Sequence, residues 1–198
     1  QGISRFNSVI QKRREKYPFK QNKYENVLDN LNKKGYYIIR EAIDESRIVA
    51  LKEELDTMIS TDDRIKRKNQ YEIVVDSALL NTKNAPKLAF DDLLVDIASA
   101  YFGATPMIGT VNLRKSLVTN APEEGTLLFH CDKNSTKFIK FFIYLNDVDN
   151  KTGPFCYTEG SHKQKFHDWK KKYRWNHEEI ENIYGKDRIK YLTGKNKC

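Results

Sequence analysis

Apolar and polar residues alternate along this chain with two different periods, and the change of period falls near Gly103. Residues 22–34 place Tyr24, Val27, Leu28 and Leu31 at three- and four-residue intervals. That spacing predicts a helix, which Gly35 can stop. Tyr36, Tyr37, Ile38 and Ile39 are all strong β formers and predict a strand. Asp44 suits the cap of a second helix, whose apolar stripe is Ile48, Leu51, Leu55, Met58 and Ile59. Residues 60–70 are charged and predict a loop. Phe90 to Phe102 predicts a third helix, with Leu93, Leu94, Ile97 and Tyr101 along one side and Gly103 behind it. Beyond Gly103 the pattern shortens to runs at 107–108, 111–118, 127–130, 138–145 and 155–157, separated by turn-prone clusters. Short strands at regular spacing predict a sandwich or barrel. A basic, aromatic segment (166–174) follows, and then a short helix capped by Asn176. The predicted order is helices first, then a β core.

The size, 198 residues and 23.2 kDa, suits one core with a helical annex. Hydrophobic residues make up 39% and aromatics 12%, enough to close a core despite the 31% charged fraction. A wholly disordered chain is excluded by that content. No apolar run approaches the roughly 18–20 residues that span a bilayer, so the pattern predicts a soluble protein with no membrane partner. The net charge of +8 is unevenly spread. Residues 1–24 hold seven Lys/Arg against one acid, and residues 162–198 hold eleven against five. The stretch between has 17 bases and 21 acids. Positive charge at both ends around a mildly acidic middle favours solvated ends, with residues 1–21 as a basic arm, over a nucleic-acid groove. Three cysteines (Cys131, Cys156, Cys198) with no CxxC pair support neither a disulfide framework nor a zinc knuckle. They predict a reducing, cytoplasmic setting.

The chemistry concentrates at His130, Cys131 and Asp132. In a strand, residues i and i+2 face the same way, so His130 and Asp132 can converge on one point. One imidazole and one carboxylate, joined by a second imidazole, make the facial triad of non-haem Fe(II) oxygenases. Alone, such a tripeptide fits a surface histidine beside a turn aspartate equally well. The context sharpens it. The run FIKFFIYLNDVD (138–149) follows, and then GPFCYTEGSHK (153–163). Residues 113–163 resemble the phytanoyl-CoA dioxygenase family of Fe(II)/2-oxoglutarate oxygenases, in which an HxD strand precedes a YLNDVD-like turn and a Gly-Ser-His-Lys segment.

That resemblance implies a double-stranded β-helix (jelly roll, cupin-like) backed by N-terminal helices, a mainly β α+β domain over 22–198. Its helical part would be 22–103 and its jelly-roll part 104–198. It implies His130 and Asp132 as iron ligands, Fe(II) and 2-oxoglutarate as cofactors, and O2 as a partner. The substrate would be a small molecule, anionic or carrier-linked. With Asp132 present the implied outcome is hydroxylation, because related halogenases replace this carboxylate with a small residue. The family also uses a distal histidine and an arginine soon after it, and neither is identifiable within 1–198. The chain stops on the approach to that strand (191–198), as a truncated domain or a degenerate member would. His162, His167 and His177 are the other histidines, and none has the setting of a ligand. His162 belongs to a structural turn, His167 to a basic surface stretch, and His177 to a solvent-facing helix start.

For the cosubstrate the candidates are Lys140, Arg114 and Asn112. Lys140 stands in an otherwise apolar strand, where a buried ammonium needs an anion unless its stem packs while its head reaches water. Asn112 and Arg114 lie on the strand before HxD. Cys131 between the ligands reads as a packed thiol, and the pairs Tyr36–Tyr37 and Phe141–Phe142 as core. The residue pattern thus leaves three function classes: an oxygenase, a non-catalytic jelly-roll binding module with a degenerate metal site, and a nucleic-acid binder.

Overall fold

A computed structural model describes residues 8, 11–12, 22–61, 69–132, 137–163 and 172–194. Most of the basic arm, the turn-prone sequence at 133–136, His167 with the lysines at 170–171, and Cys198 lie outside the described residues.

A one-turn 3-10 segment, Asn22–Tyr24, leads into helix α1, Glu25–Lys34. Gly35 ends it at φ 90°, its N–H bonded to the Leu31 carbonyl at 3.0 Å. Helix α2 spans Glu45–Thr61 and takes in the first residues, Ser60 and Thr61, of the stretch predicted as loop. The Asp44 carboxylate accepts the Ser46 N–H at 2.9 Å, satisfying a first-turn donor. Strand β1 (Glu72–Val75), two short helices, α3 (Ala78–Asn81) and α4 (Ala85–Ala89), and helix α5 (Asp92–Phe102) follow. The second half holds β2 (Leu113–Ser116), β3 (Phe155–Thr158), α6 (His177–Tyr184) and β4 (Ile189–Leu192).

The described residues form mixed helices and small sheets. β1 pairs antiparallel with β2, Glu72 opposite Ser116 and Val75 opposite Leu113. β3 pairs antiparallel with β4, Phe155 opposite Leu192 and Thr158 opposite Ile189. Two isolated bridges, Phe129 with Trp175 and Val148 with Gly194, add short contacts. Among the described residues these pieces do not join into one sheet. Four of the predicted strands form no ladder among the described residues, and of these 127–130 holds only the isolated bridge of Phe129. Residues 36–39 join no ladder among the described residues, and their side chains go to separate neighbours. Tyr36 meets the Tyr157 ring edge-on at 5.6 Å, while Ile39 packs beside Tyr24 and Ile97. Residues 107–108 are exposed, and 138–145 have no ladder partner.

Three apolar clusters hold these elements. The largest joins Ile48, Leu51 and Leu55 of α2 to Val75, Ala78, Leu88 and Leu113, with Ile143 and Leu145 against it. A second sets Tyr24 and the face of α1 on Ile97 and Ala100 of α5, with Ile139 beside them. The third packs Trp175, Ile180 and Ile189, flanked by Phe129 and Tyr184. Among the described residues no helix is long and apolar enough to cross a membrane.

Two polar devices are expected to register in stability. Asn176 and Glu179 form a reciprocal capping box on α6, each side chain accepting the other's N–H at 2.9 Å. Asn176→Ala should cost about 1 kcal/mol in chemical denaturation. The start of α5 is the second. Asp91 accepts the Leu93 N–H at 3.0 Å and the Arg47 guanidinium at 2.5 Å. Arg47, working against partial burial and helped by the Leu93 amide, holds the Asp91 carboxyl below its ordinary value. A carboxylate depressed in the folded state contributes stability above its unfolded pKa, near 4, and loses it as pH falls through the folded value. Denaturation midpoints should therefore fall below about pH 4, and less steeply in Asp91→Asn than in the wild type.

Candidate metal centre

The bridge between Phe129 and Trp175, two N–H to carbonyl bonds of 2.9 Å, fixes the backbone just before His130. Phe129 turns toward the Trp175–Ile180–Ile189 cluster. His130, the next residue along an extended chain, then belongs to the opposite face. Its Nδ1 lies 2.7 Å from the Leu128 carbonyl oxygen. A carbonyl only accepts, so Nδ1 carries the proton and, in the neutral ring, Nε2 keeps its lone pair. Nε2 stands 3.8 Å from Asp132 Oδ1. The other oxygen of Asp132 accepts from Lys140 Nζ at 2.6 Å. The three side chains are only partly covered, at 27%, 32% and 40% exposure for His130, Asp132 and Lys140.

Lys140 reaches this point because residues 138–145 alternate sides even without a ladder. Ile139, Ile143 and Leu145 pack on the helical clusters. Phe142 stacks on Phe155 at 4.4 Å, and Tyr144 donates to the Leu192 carbonyl at 2.6 Å. Lys140 shares the parity of Phe142 and Tyr144 and so leaves the helical side. This placement overturns Phe141 and Phe142 as core residues, since both are exposed, as is Tyr37. An apolar run with one packed face shows its other face to whatever lies opposite, and here that is the Asp132 side and the β3–β4 ladder.

The structure brings together His130, Asp132 and Lys140 and engages the other two candidates elsewhere. Arg114 Nη1 donates to Glu72 Oε2 at 2.9 Å across the β1–β2 ladder, where the Glu72 side chain is only 12% exposed. Asn112 Oδ1 accepts the Ser77 N–H at 3.3 Å. His162 sits beside the Asn32 carbonyl of α1, Nε2 to oxygen 3.1 Å, which is the structural turn its motif implies. It also lines a cleft of about 410 Å3 with Leu28, Leu31, Tyr101 and Lys137. His177 keeps its side chain 41% exposed at the start of α6, as its position suggests, and also has partners. Its Nε2 meets Glu181 Oε1 and Tyr191 Oη, both at 3.2 Å, and its ring lies against Phe129. Cys131 is exposed rather than packed, whereas burial pushes the Cys156 thiol up. Among the described residues no third His, Cys, Asp or Glu joins the pair to complete a metal-binding group.

The pair fits a first-row dication on its own chemistry. Two cis donors bound at about 2.1 Å to a shared ion lie roughly 3 Å apart, so the 3.8 Å between Nε2 and Oδ1 would close by about 0.8 Å around it. A ligating histidine characteristically gives its second N–H to a carbonyl or carboxylate, which fixes the ring. Leu128 supplies that carbonyl, a partner for which the sequence carries no sign. The Lys140–Asp132 pairing was equally hidden; the only trace was one cation in an apolar run.

A protein-family model matches residues 31–195, most of the chain, and defines its class as a dioxygenase domain. The chain belongs to the phytanoyl-CoA dioxygenase (PhyH) family. That family consists of dioxygenases, whose members generally use Fe(II) and 2-oxoglutarate together with O2 and a small-molecule substrate. No curated protein and no solved structure matches the chain.

Proposed function

We propose that this protein is an Fe(II)- and 2-oxoglutarate-dependent hydroxylase of a small or carrier-linked metabolite, built on a double-stranded β-helix behind N-terminal helices. His130 and Asp132 are its iron ligands, and Lys140, which stands on Asp132, is the cation that would meet the cosubstrate. The observation that carries this reading is the His130 ring. The Leu128 carbonyl occupies Nδ1 and leaves the Nε2 lone pair facing a carboxylate oxygen, two acceptors that a cation would reconcile. Membership of the family supplies the identity of the cation and the class of chemistry.

When bound, iron and 2-oxoglutarate would supply the oxidising power, coupling decarboxylation of the cosubstrate to hydroxylation of the substrate. The chain's own contribution is geometric. Leu128 fixes the tautomer and orientation of His130, Asp132 presents Oδ1, and Lys140 offers positive charge beside them. Arg114 and Asn112 hold Glu72 and the Ser77 turn, whereas Lys140 stands on Asp132 itself, so the proposal takes Lys140 for the cosubstrate on its place beside the ligand pair.

Anaerobic addition of Fe(II) and then 2-oxoglutarate should produce the weak visible charge-transfer band of the chelate, and O2 should then release succinate. A protein that takes up Fe(II) without giving a band or succinate would be a binding module with a degenerate site.

A further inference from the structure

We infer that Lys140 is a positioning residue that restricts Asp132 to one-oxygen coordination of the metal. The inference deepens the metal reading of His130 and Asp132 and rests on it. The two carboxylate oxygens of Asp132 have different neighbours. Oδ1 is the oxygen that faces His130 Nε2, at 3.8 Å, and Oδ2 receives the Lys140 ammonium at 2.6 Å. An ion shared with His130 through Oδ1 alone stays on the far side of the carboxylate from that ammonium. An ion chelated by both oxygens would be drawn toward Oδ2 and into the field of a like charge. Lys140 therefore selects the one-oxygen mode, by occupying one oxygen and by repelling an ion that approaches it.

The lysine is held in place to do this. Ile139 packs on the Tyr24–Ile97 cluster and Ile143 on the α2 cluster, which anchors the backbone on both sides of Lys140. Its ammonium also lies 6.0 Å from the Phe138 ring centroid. The consequence concerns what the metal keeps open. A carboxylate bound through one oxygen takes one coordination position, and one bound through both takes two. Restricting Asp132 to one leaves adjacent positions for a bidentate cosubstrate and O2, the arrangement that a facial triad requires.

Water-proton relaxation of the Mn(II)-loaded protein tests this without turnover, because it counts the water molecules on the bound ion. No 2-oxoglutarate is present, so any direct contact of Lys140 with that molecule plays no part. Lys140→Met should bind Mn(II) severalfold more tightly at low salt, having lost the repelling charge, yet show one water fewer than the wild type. Lys140→Arg, which can still hold Oδ2, should restore the wild-type water count, a rescue that a purely structural role would not produce. Lys140→Ala serves as the second variant if the methionine protein does not fold. An unchanged water count in the folded variants overturns the inference. So does weaker Mn(II) binding, since a carboxylate released from an ammonium should attract a dication more strongly. Wild-type protein that takes up no Mn(II) overturns the metal reading itself, a failure distinct from the other two.

Discussion

Replacing His130 by alanine is expected to remove Fe(II) binding in the working range, together with the charge-transfer band and succinate release, and Asp132→Ala should do the same. Loss of an outer partner of a metal ligand typically weakens metal affinity about 10–100-fold. Loss of a ligand itself should exceed that, so at least about a 100-fold weakening is expected for each. The control lies in the remaining described histidines. His162 is engaged by the Asn32 carbonyl and His177 by Glu181 and Tyr191. Alanine at either should leave metal affinity within a few-fold of the wild type while lowering stability. Titration of the four variants with Mn(II), followed by electron paramagnetic resonance, separates the two pairs. Should His177→Ala abolish binding while His130→Ala spares it, the assignment of the centre is wrong.

The largest expected loss of stability falls at Gly35, where the helical part meets the β3–β4 ladder. Its φ of 90° is a conformation that costs an L-residue about 1–2 kcal/mol. A Cβ there would also stand 2.2 Å from the Tyr157 hydroxyl and 2.6 Å from His162 Nδ1. Neither neighbour can swing away freely. Tyr157 is braced by the Tyr36 ring, and His162 is held on Asn32. Relieving such an overpacked contact typically costs a further 1–3 kcal/mol. Gly35→Ala should thus lose on the order of 2–5 kcal/mol, a fall in Tm of roughly 4–20 °C for a chain of this size. Gly153→Ala isolates the backbone part. Its φ is 73°, but nothing lies within 4 Å of a Cβ there, so only the conformational strain should appear. Equal losses at the two glycines would mean that the contact with Tyr157 and His162 carries no weight.

The same joint explains a motif. In the Gly-Ser-His-Lys segment, the Gly160 N–H donates to the Lys34 carbonyl at 2.7 Å while His162 meets Asn32. Two carbonyls of the last turn of α1, which a helix leaves without internal partners, are satisfied from this turn. Arg188 holds the Glu159 carbonyl from the β4 side, and Tyr36 reaches the Glu159 carboxylate at 3.2 Å. The segment acts as a clasp between α1 and β3.

The parts of this protein legible in its sequence are those decided within a few residues of chain. The apolar spacing of α1, α2 and α5, Gly35 as a helix stop, Asn176 as a cap, and His130 with Asp132 on one face all follow from local sterics and neighbouring hydrogen bonds. The segment from 71 to 89 carries weaker local signals, three strand formers at Ile73, Val74 and Val75 and Pro86 at the start of α4. β1 exists because it finds β2 about forty residues later, and a four-residue run does not announce a partner at that distance. Phe142 shows the converse error, because being apolar does not say which face of a run is covered, and Phe141 is exposed although it shares the parity of Ile139 and Ile143.

At the site the division is sharper. Residue type and spacing put an imidazole and a carboxylate together and linked them to iron through the family resemblance. Folding alone brought the Leu128 carbonyl to Nδ1, set Lys140 on Oδ2 of Asp132, and took Arg114 away to Glu72. Local chemistry states which groups a segment offers. Which of them meet depends on long-range packing, and the parity of a run resting on helices formed a hundred residues earlier is invisible to any local pattern.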